Sequence, residues 1–487
     1  MDSEASFDVI ILGTGLTESI VAAALAKAGL RIAHIDENAY YGGRDACLSF
    51  EDLVNWQNSS GPEFSIFTRS SDAIAQPRSY SLSLSPSVIP SSGPLIDTLV
   101  ASGVSRYGGF RLIERICVYD AVSTSVKLVP GSKEDIFKSK EITLVEKRRI
   151  MRFLTFAAGD FENSGELQGH FQTPFPQFLR DIFSLNMEMA DAIAYALAYC
   201  LTSTDPTLLA LHRLRRYLRS AGRYGTNPFL VGHYGSSGEI AQGFCRTAAV
   251  SGAVYVLGRS AQLSTDPISH RHVVQLDDFP ESLSCTLLIA SQSSSLSVPP
   301  PTVASSPFTS STPNFAVARS ILIIDQPLAL GSEGPVVDTG IVVFPPACFE
   351  GASMSAAATA LVTGEGTLSC PKGQWIVYLT LPLPENAEIA DPEKSLRPYY
   401  EAILALGTGT PLFSTFYLQK PAASRRDSDH HVSPTNLPPV LPLPDAGDAA
   451  ALHAEDVFRA VLSSLRPNDT DVPFWPPLEA SEDGEDE

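Results

Sequence analysis

The run FDVIILGTGLTES at residues 7–19 constrains the fold more than any other segment of the chain. FDVIILG is almost wholly apolar, the pattern of a strand buried on both faces of a parallel sheet. Residues 16–28 read as an alanine-rich helix and RIAHID at 31–36 as a second buried strand, which completes a Rossmann-type βαβ unit. In a dinucleotide-binding fold the intervening loop reads GxGxxG, so that the backbone can approach a pyrophosphate at the helix N-terminus. Here Gly13 and Gly15 hold the first two places and Glu18 holds the third. A carboxylate there repels phosphate across a partly dry site. Asp36, 21 residues beyond Gly15, still stands where an acidic residue binds a ribose hydroxyl. Two readings follow: a weakened dinucleotide site, or glycines retained because the strand-to-helix turn needs them. The second is favoured, which implies a binder without a cofactor and not a flavin oxidoreductase.

Beyond this unit the pattern changes. With 487 residues, 44% of them hydrophobic, the chain can bury a large core and form more than one structural unit. The expected class is α/β (α+β), a flavoprotein-like, Rossmann-type sheet domain with an inserted all-helical domain. Its first part covers residues 1–132 and the helical insertion 133–223, where ITLVEKRRIMRFLTFA and LLALHRLRRYLRSAG carry helical periodicity. Strand-like runs then resume the sheet domain over 224–290 and 316–423. Ser/Pro-rich residues 291–315 and polar residues 424–444 read as mobile loops, 445–478 as a C-terminal segment and the acidic run 479–487 as a solvated tail.

Composition removes several function classes. A net charge of −20 argues against sequence-independent nucleic-acid binding. The seven cysteines are scattered without CxxC spacing and the histidines show no ligand pattern, so free, mostly buried thiols and no metal site are expected. The longest apolar runs are strand-sized, short of the ~20 residues a membrane helix needs. The acidic start MDSEASFDVI lacks the marks of a secretory signal, so a cytoplasmic protein is expected. Two basic clusters, Lys147, Arg148, Arg149 and Arg152, then Arg213, Arg215, Arg216 and Arg219, read as solvated helix faces, with steering of an acidic partner as the alternative.

GTGLTES followed by HIDENAYYGGR resembles the opening of the Rab GDP dissociation inhibitor and Rab escort protein superfamily. RYGTNPFLVGHYGSSGEIAQGFCRTAAVSGAVYVL at 223–257 is similar to its second signature block. The resemblance implies a non-enzymatic protein that binds GDP-bound Rab/Ypt small GTPases through a platform carried here by Tyr41, Glu239 and Arg246. Without it, a buried ion pair beside a core tyrosine would explain the same residues. It further implies that the helical domain receives a geranylgeranyl lipid, with Met151, Met187 and Met189 as candidate lining, although ordinary helix packing also accounts for them. RDACLSFEDLVNW after YYGG, with Trp56, is more similar to the escort branch than to the recycling inhibitors. That branch presents unprenylated Rab to the Rab geranylgeranyl transferase and delivers the product in transient contact with membranes. The transferase contact falls by local similarity on Phe175, with Phe178 as the alternative. The contrary class is an FAD-dependent oxidoreductase of the amine-oxidase type, supported by the βαβ unit, Asp36 and the GGR run at 42–44.

Overall fold

The structure, a computed structural model, describes residues 5–59, 63–130, 136–137, 142–266, 268–269, 271–290, 315–331, 336–383, 391–420, 431–432, 441–469 and 471–477. The strand Ala5–Leu12, the helix Leu16–Lys27 and the strand Ile32–Asp36 form the expected crossover. In the first sheet the strands Val254–Leu257, Ile32–Asp36, Ala5–Leu12 and Leu283–Ala290 run parallel, and His272–Leu276 and Ala261–Thr265 extend it antiparallel. Val9, Ile10 and Ile11 are fully buried, as strands covered on both faces require. Residues 16–26 of the first helix are buried all round, because it lies between the helices Ser237–Val250 and Ala446–Leu465. Its alanines let three helices pack closely.

The strands within residues 316–423 do not extend the first sheet. The strands Val317–Ile324, Thr339–Phe344, Ala358–Gly364, Trp375–Pro382 and Pro411–Gln419 build a second, eight-stranded sheet with Phe64–Arg69, Arg115–Asp120 and Ser125–Leu128. Only the pairing of 339–344 with 115–120 is parallel. Alternation at period two sends Ile321 and Ile323 into the core shared with the helical domain, and Ala318, Leu322 and Ile324 into a core covered by the helix Pro392–Ala405. Periodicity identified these strands; it carries no information about which sheet receives them.

The helical insertion holds Leu144–Ala158, Phe175–Phe183, Met187–Asp191, the π-helical turn Ala192–Leu197 and Thr207–Ser220. A capping box between Thr143 and Glu146 starts its first helix. The loop expected at 291–315 lies outside the described residues except for its last residue, as does that at 424–444 except for 431–432 and 441–444; the acidic tail lies wholly outside them. The C-terminal segment carries the 20-residue helix Ala446–Leu465. All seven cysteines are unpaired and five of them are buried. Among the described residues no helix is long and apolar enough to cross a membrane.

Candidate functional site

The glycine loop is closed by the protein's own carboxylates. Gly13 turns at φ +95°, and the imidazole of buried His34 donates from Nε2 to its carbonyl over 2.6 Å. A Cβ at Gly15 would lie 2.6 Å from Oε2 of Glu18, so the buried Glu18 side chain folds back across the glycine that a pyrophosphate would approach. The Leu16 amide, at the helix N-terminus, donates to Oδ2 of Asp45 over 3.2 Å. Asp36 accepts from the Thr14 amide and hydroxyl at 2.7 and 2.6 Å, and from the Asn38 amide and side chain at 2.8 and 2.9 Å. The reading of Asp36 as a surviving ribose ligand is therefore corrected: its oxygens are committed to the fold. Arg44 and Arg319 line the remaining space with Glu18 and Asp45, a cavity of about 140 Å³, against roughly 300–1,000 Å³ for small-molecule sites in general. A flavin dinucleotide does not fit this set, because carboxylates occupy the donors its phosphates need. Glu18→Gly is accordingly expected to restore the GxGxxG pattern without restoring cofactor binding. Protein of that variant purified from cells, or mixed with flavin, should show no stoichiometric visible absorbance, because Asp45 still caps Leu16; a flavin spectrum would overturn this account.

The same loop places Tyr41. Gly42 adopts φ +101°, where an added Cβ would meet Cα of Ala46 at 2.8 Å. Its amide donates to the carbonyl and hydroxyl oxygens of Thr14, at 3.1 and 3.0 Å. The YYGG turn is thus pinned to the glycine loop, and half-buried Tyr41 sets its ring edge-on to Tyr255, 6.0 Å between centroids, with its hydroxyl raised above the usual phenol range by burial and by nearby Cys245. Cys245 belongs to the helix Ser237–Val250, which also carries Glu239 and Arg246. Seven residues are two turns, so these two side chains share one face. Glu239 is half-buried and burial raises its carboxyl pKa; Arg246 is exposed, its guanidinium 4.7 Å from the ring centre of Tyr107. They form no ion pair with each other, so the reading of a buried pair does not hold. Gly238, before Glu239, allows the helix to seat on the 46–47 backbone: an added Cβ would lie 2.5 Å from the Cys47 amide nitrogen. Tyr234, Gly235 and Ser236, which lead into this helix, all have positive φ, a strained entry that costs free energy at the two non-glycine positions.

In the helical domain the residues named from the sequence separate. Phe175 is fully buried, its ring against Phe153 and Phe178, its amide donating to the Asp205 carbonyl over 2.9 Å. Phe178 is equally buried. Neither presents a ring to a partner, which corrects the expectation for Phe175; in this segment the exposed aromatic is Phe171, 39% accessible. Met187 and Met189 line a cavity of about 1630 Å³ between the helices and the second sheet, with Ile150, Leu154 and Leu214 on one side and Ile116, Val118 and Pro345 on the other. Met151 does not line it and packs against the core instead. The sheet wall was missed because strands 115–120 and 339–344 read only as strands. The second basic cluster is also corrected. Arg213 pairs with Asp205 at 3.1 Å, Arg215 with Glu162 at 2.5 Å, and Arg216 with Asp445 and, at 3.4 Å, with Asp448, while Arg219 remains exposed. Trp56 is core, edge-on to Phe64, Phe67 and Tyr417.

The Rab proteins geranylgeranyltransferase component A of Drosophila melanogaster is 28% identical over 519 residues, covering all of this chain and 93% of that protein. The protein of the same name from Candida albicans is 34% identical over 271 residues, 54% of this chain and 42% of its own length. Component A 2 of Homo sapiens is 29% identical over 83% of this chain and 61% of that protein. The chain thus matches about two fifths and three fifths of the length of the latter two. Among solved structures, the Rab GDI of Plasmodium falciparum superposes with a TM-score of 0.68 at 21% identity over 96% of this chain and 99% of that one. An oxidoreductase from Methanosarcina mazei follows at 0.59 and 14% identity, over 92% and 99%. These two likenesses concern the fold alone. A family model described as GDP dissociation inhibitor matches residues 1–295, which include the closed glycine loop, the YYGG turn and the Glu239–Arg246 helix, and the chain belongs to that family.

Proposed function

We propose that this chain is an escort-type member of the family: it binds GDP-bound Rab GTPases, presents them to the Rab geranylgeranyl transferase and carries the prenylated product to membranes. It contributes binding surfaces and no bond-making step. The observation that carries the reading is the convergence of Tyr41, Glu239 and Arg246, from segments about 200 residues apart in sequence, on one helix and its flank. A rigid aromatic supplies contact area, and an exposed cation and a partly desolvated carboxylate choose orientation and partner. Selectivity for the GDP state requires contacts to segments that change conformation with the nucleotide. The names of the Drosophila, Candida and human relatives favour the transferase-associated role over recycling alone.

The cavity lined by Met187 and Met189 supports the lipid part of the proposal. Burying a prenyl chain there removes apolar surface from water, and a bilayer offers the same gain, so the lipid exchanges between protein and membrane during brief contact from the cytoplasm. Phe171, exposed at the start of the adjoining segment, is the better candidate for the transferase contact than Phe175.

Arg246→Ala is expected to weaken binding of GDP-loaded Rab at least about tenfold, the scale of an interface hot spot, in a titration with the full chain; unchanged affinity would remove Arg246 from the platform. In a reconstituted reaction of Rab, transferase and lipid donor, prenylation should depend on this chain. Extraction of prenylated Rab from membranes without support of transfer would instead assign the recycling role.

A further inference from the structure

We infer that Tyr107 is a positioning residue for Arg246, holding its guanidinium edge-out toward a carboxylate of the GTPase partner. This rests on the platform proposed above and adds a part to it that neither signature motif contains. Arg246 pairs with no carboxylate among the described residues, and its guanidinium carbon stands 4.7 Å over the Tyr107 ring. A cation over an aromatic face is held by the ring quadrupole. A guanidinium that lies flat on a ring keeps the N–H groups in its plane free at the edge, where a carboxylate can accept two parallel hydrogen bonds.

The fold builds this contact deliberately from distant segments. The helix Pro94–Ser102 stops at Gly103, φ +82°, and the next three residues, Val104–Arg106, form a 3₁₀ turn. The Tyr107 amide donates to the Val104 carbonyl over 2.9 Å. Val104 is buried against the helix Ser237–Val250 at Gly243, where an added Cβ would lie 2.9 Å from Cγ1 of Val104. Gly243 is three residues, nearly one turn, before Arg246. The turn therefore seats at Gly243, where the helix has no side chain, and the next residue after the turn lies beneath the arginine. Tyr107 itself is 50% exposed, far more than a tyrosine kept for packing would be. A free arginine side chain must lose rotamer freedom when it pairs; one already laid on a ring has lost part of it before the partner arrives.

A double-mutant cycle on the full chain, read by titration with GDP-loaded Rab, tests this. Tyr107→Leu should weaken binding about two- to fivefold, the scale of an exposed cation–π contact. Tyr107→Phe, which keeps the ring, should restore affinity to within about twofold, and Tyr107→Leu should add nothing in an Arg246→Ala background. Arg246→Lys should fail to substitute, because an ammonium has no planar fork. If Tyr107→Leu acts fully in the Arg246→Ala background, or if Tyr107→Phe behaves like Tyr107→Leu, Tyr107 is an independent contact and the inference falls. If Arg246→Ala weakens binding and Tyr107→Leu does not, the inference falls while the platform stands. If Arg246→Ala has no effect, the platform reading falls and takes the inference with it.

Discussion

Phe175→Ala should cost the fold about 3–5 kcal/mol, the usual loss for truncating a fully buried phenylalanine. The ring has no solvent-accessible surface and lies between Phe153, 6.2 Å away and tilted, and Phe178, 6.5 Å away and stacked. Phe183 closes the cluster edge-on to Phe153 at 5.1 Å. Removing Phe175 leaves a cavity that helices tied at both ends cannot collapse into, so the transfer and cavity terms add. Urea unfolding followed by a probe in the helical domain should show the loss as a lower midpoint with an unchanged slope. Phe171→Ala, at an exposed position, should change stability by less than about 0.5 kcal/mol. The pair separates folding from contact. Loss of transferase support in Phe175→Ala together with loss of stability is structural; loss of support in Phe171→Ala at unchanged stability is a contact. Full stability of Phe175→Ala would overturn the placement of its ring in the core.

Acid should loosen the molecule at the glycine loop, through His34. This imidazole is completely buried; its Nε2–H donates to the Gly13 carbonyl, and Nδ1 lies 3.2 Å from the Tyr255 hydroxyl, which donates to it. Burial pushes its pKa down to about 4, against the opposing pull of the Gly13 carbonyl and Asp36. Below about pH 6.5 the unfolded chain binds a proton on this residue that the folded chain refuses until about pH 4. The unfolded state thus holds more protons in that window, so stability falls as pH falls, by up to roughly 3 kcal/mol for a displacement of this size. Half-buried His453, also lowered by burial, acts in the same sense. Asp448 acts oppositely: burial raises its carboxyl to about 6, so below that pH the folded state takes up the extra proton and gains stability. The total slope is therefore not diagnostic, and the difference between variants is. Denaturation of the parent chain and of His34→Gln between pH 4 and 6.5 should show a shallower decline in the variant. Parallel curves would mean that His34 is protonated in the folded state or reached by water. Because Tyr255 also holds Tyr41, partner binding should weaken over the same range.

The first crossover, the helical insertion and the family were legible because each rests on local order. FDVIILG is apolar at every position a buried parallel strand needs, and Thr143 with Glu146 states a helix start in four residues. Glu18 was legible as damage to a phosphate loop, but its physical consequence was not. Charge repulsion was the expected effect; the structure adds that Glu18 lies across Gly15, that Asp45 caps the helix, and that Asp36 spends its oxygens on Thr14 and Asn38. Arg213, Arg215 and Arg216 looked like a solvated face because nothing near them in sequence announces Asp445 or Glu162 as partners. Trp56, a marker of family branch in the sequence, is a packing residue in the fold.

What the sequence by itself determined is therefore the type of most elements and the motifs that name the family, since periodicity, capping and glycine spacing act within a turn or a strand. Tertiary structure decided everything that depends on pairing between distant segments. It split the strands between two sheets, buried Phe175, set Met187 and Met189 on a cavity with a sheet wall while leaving Met151 in the core, and laid Arg246 on Tyr107. The reason is physical: burial, ion pairing and ring contacts depend on distance in space, and a chain of 487 residues does not print those distances along its length.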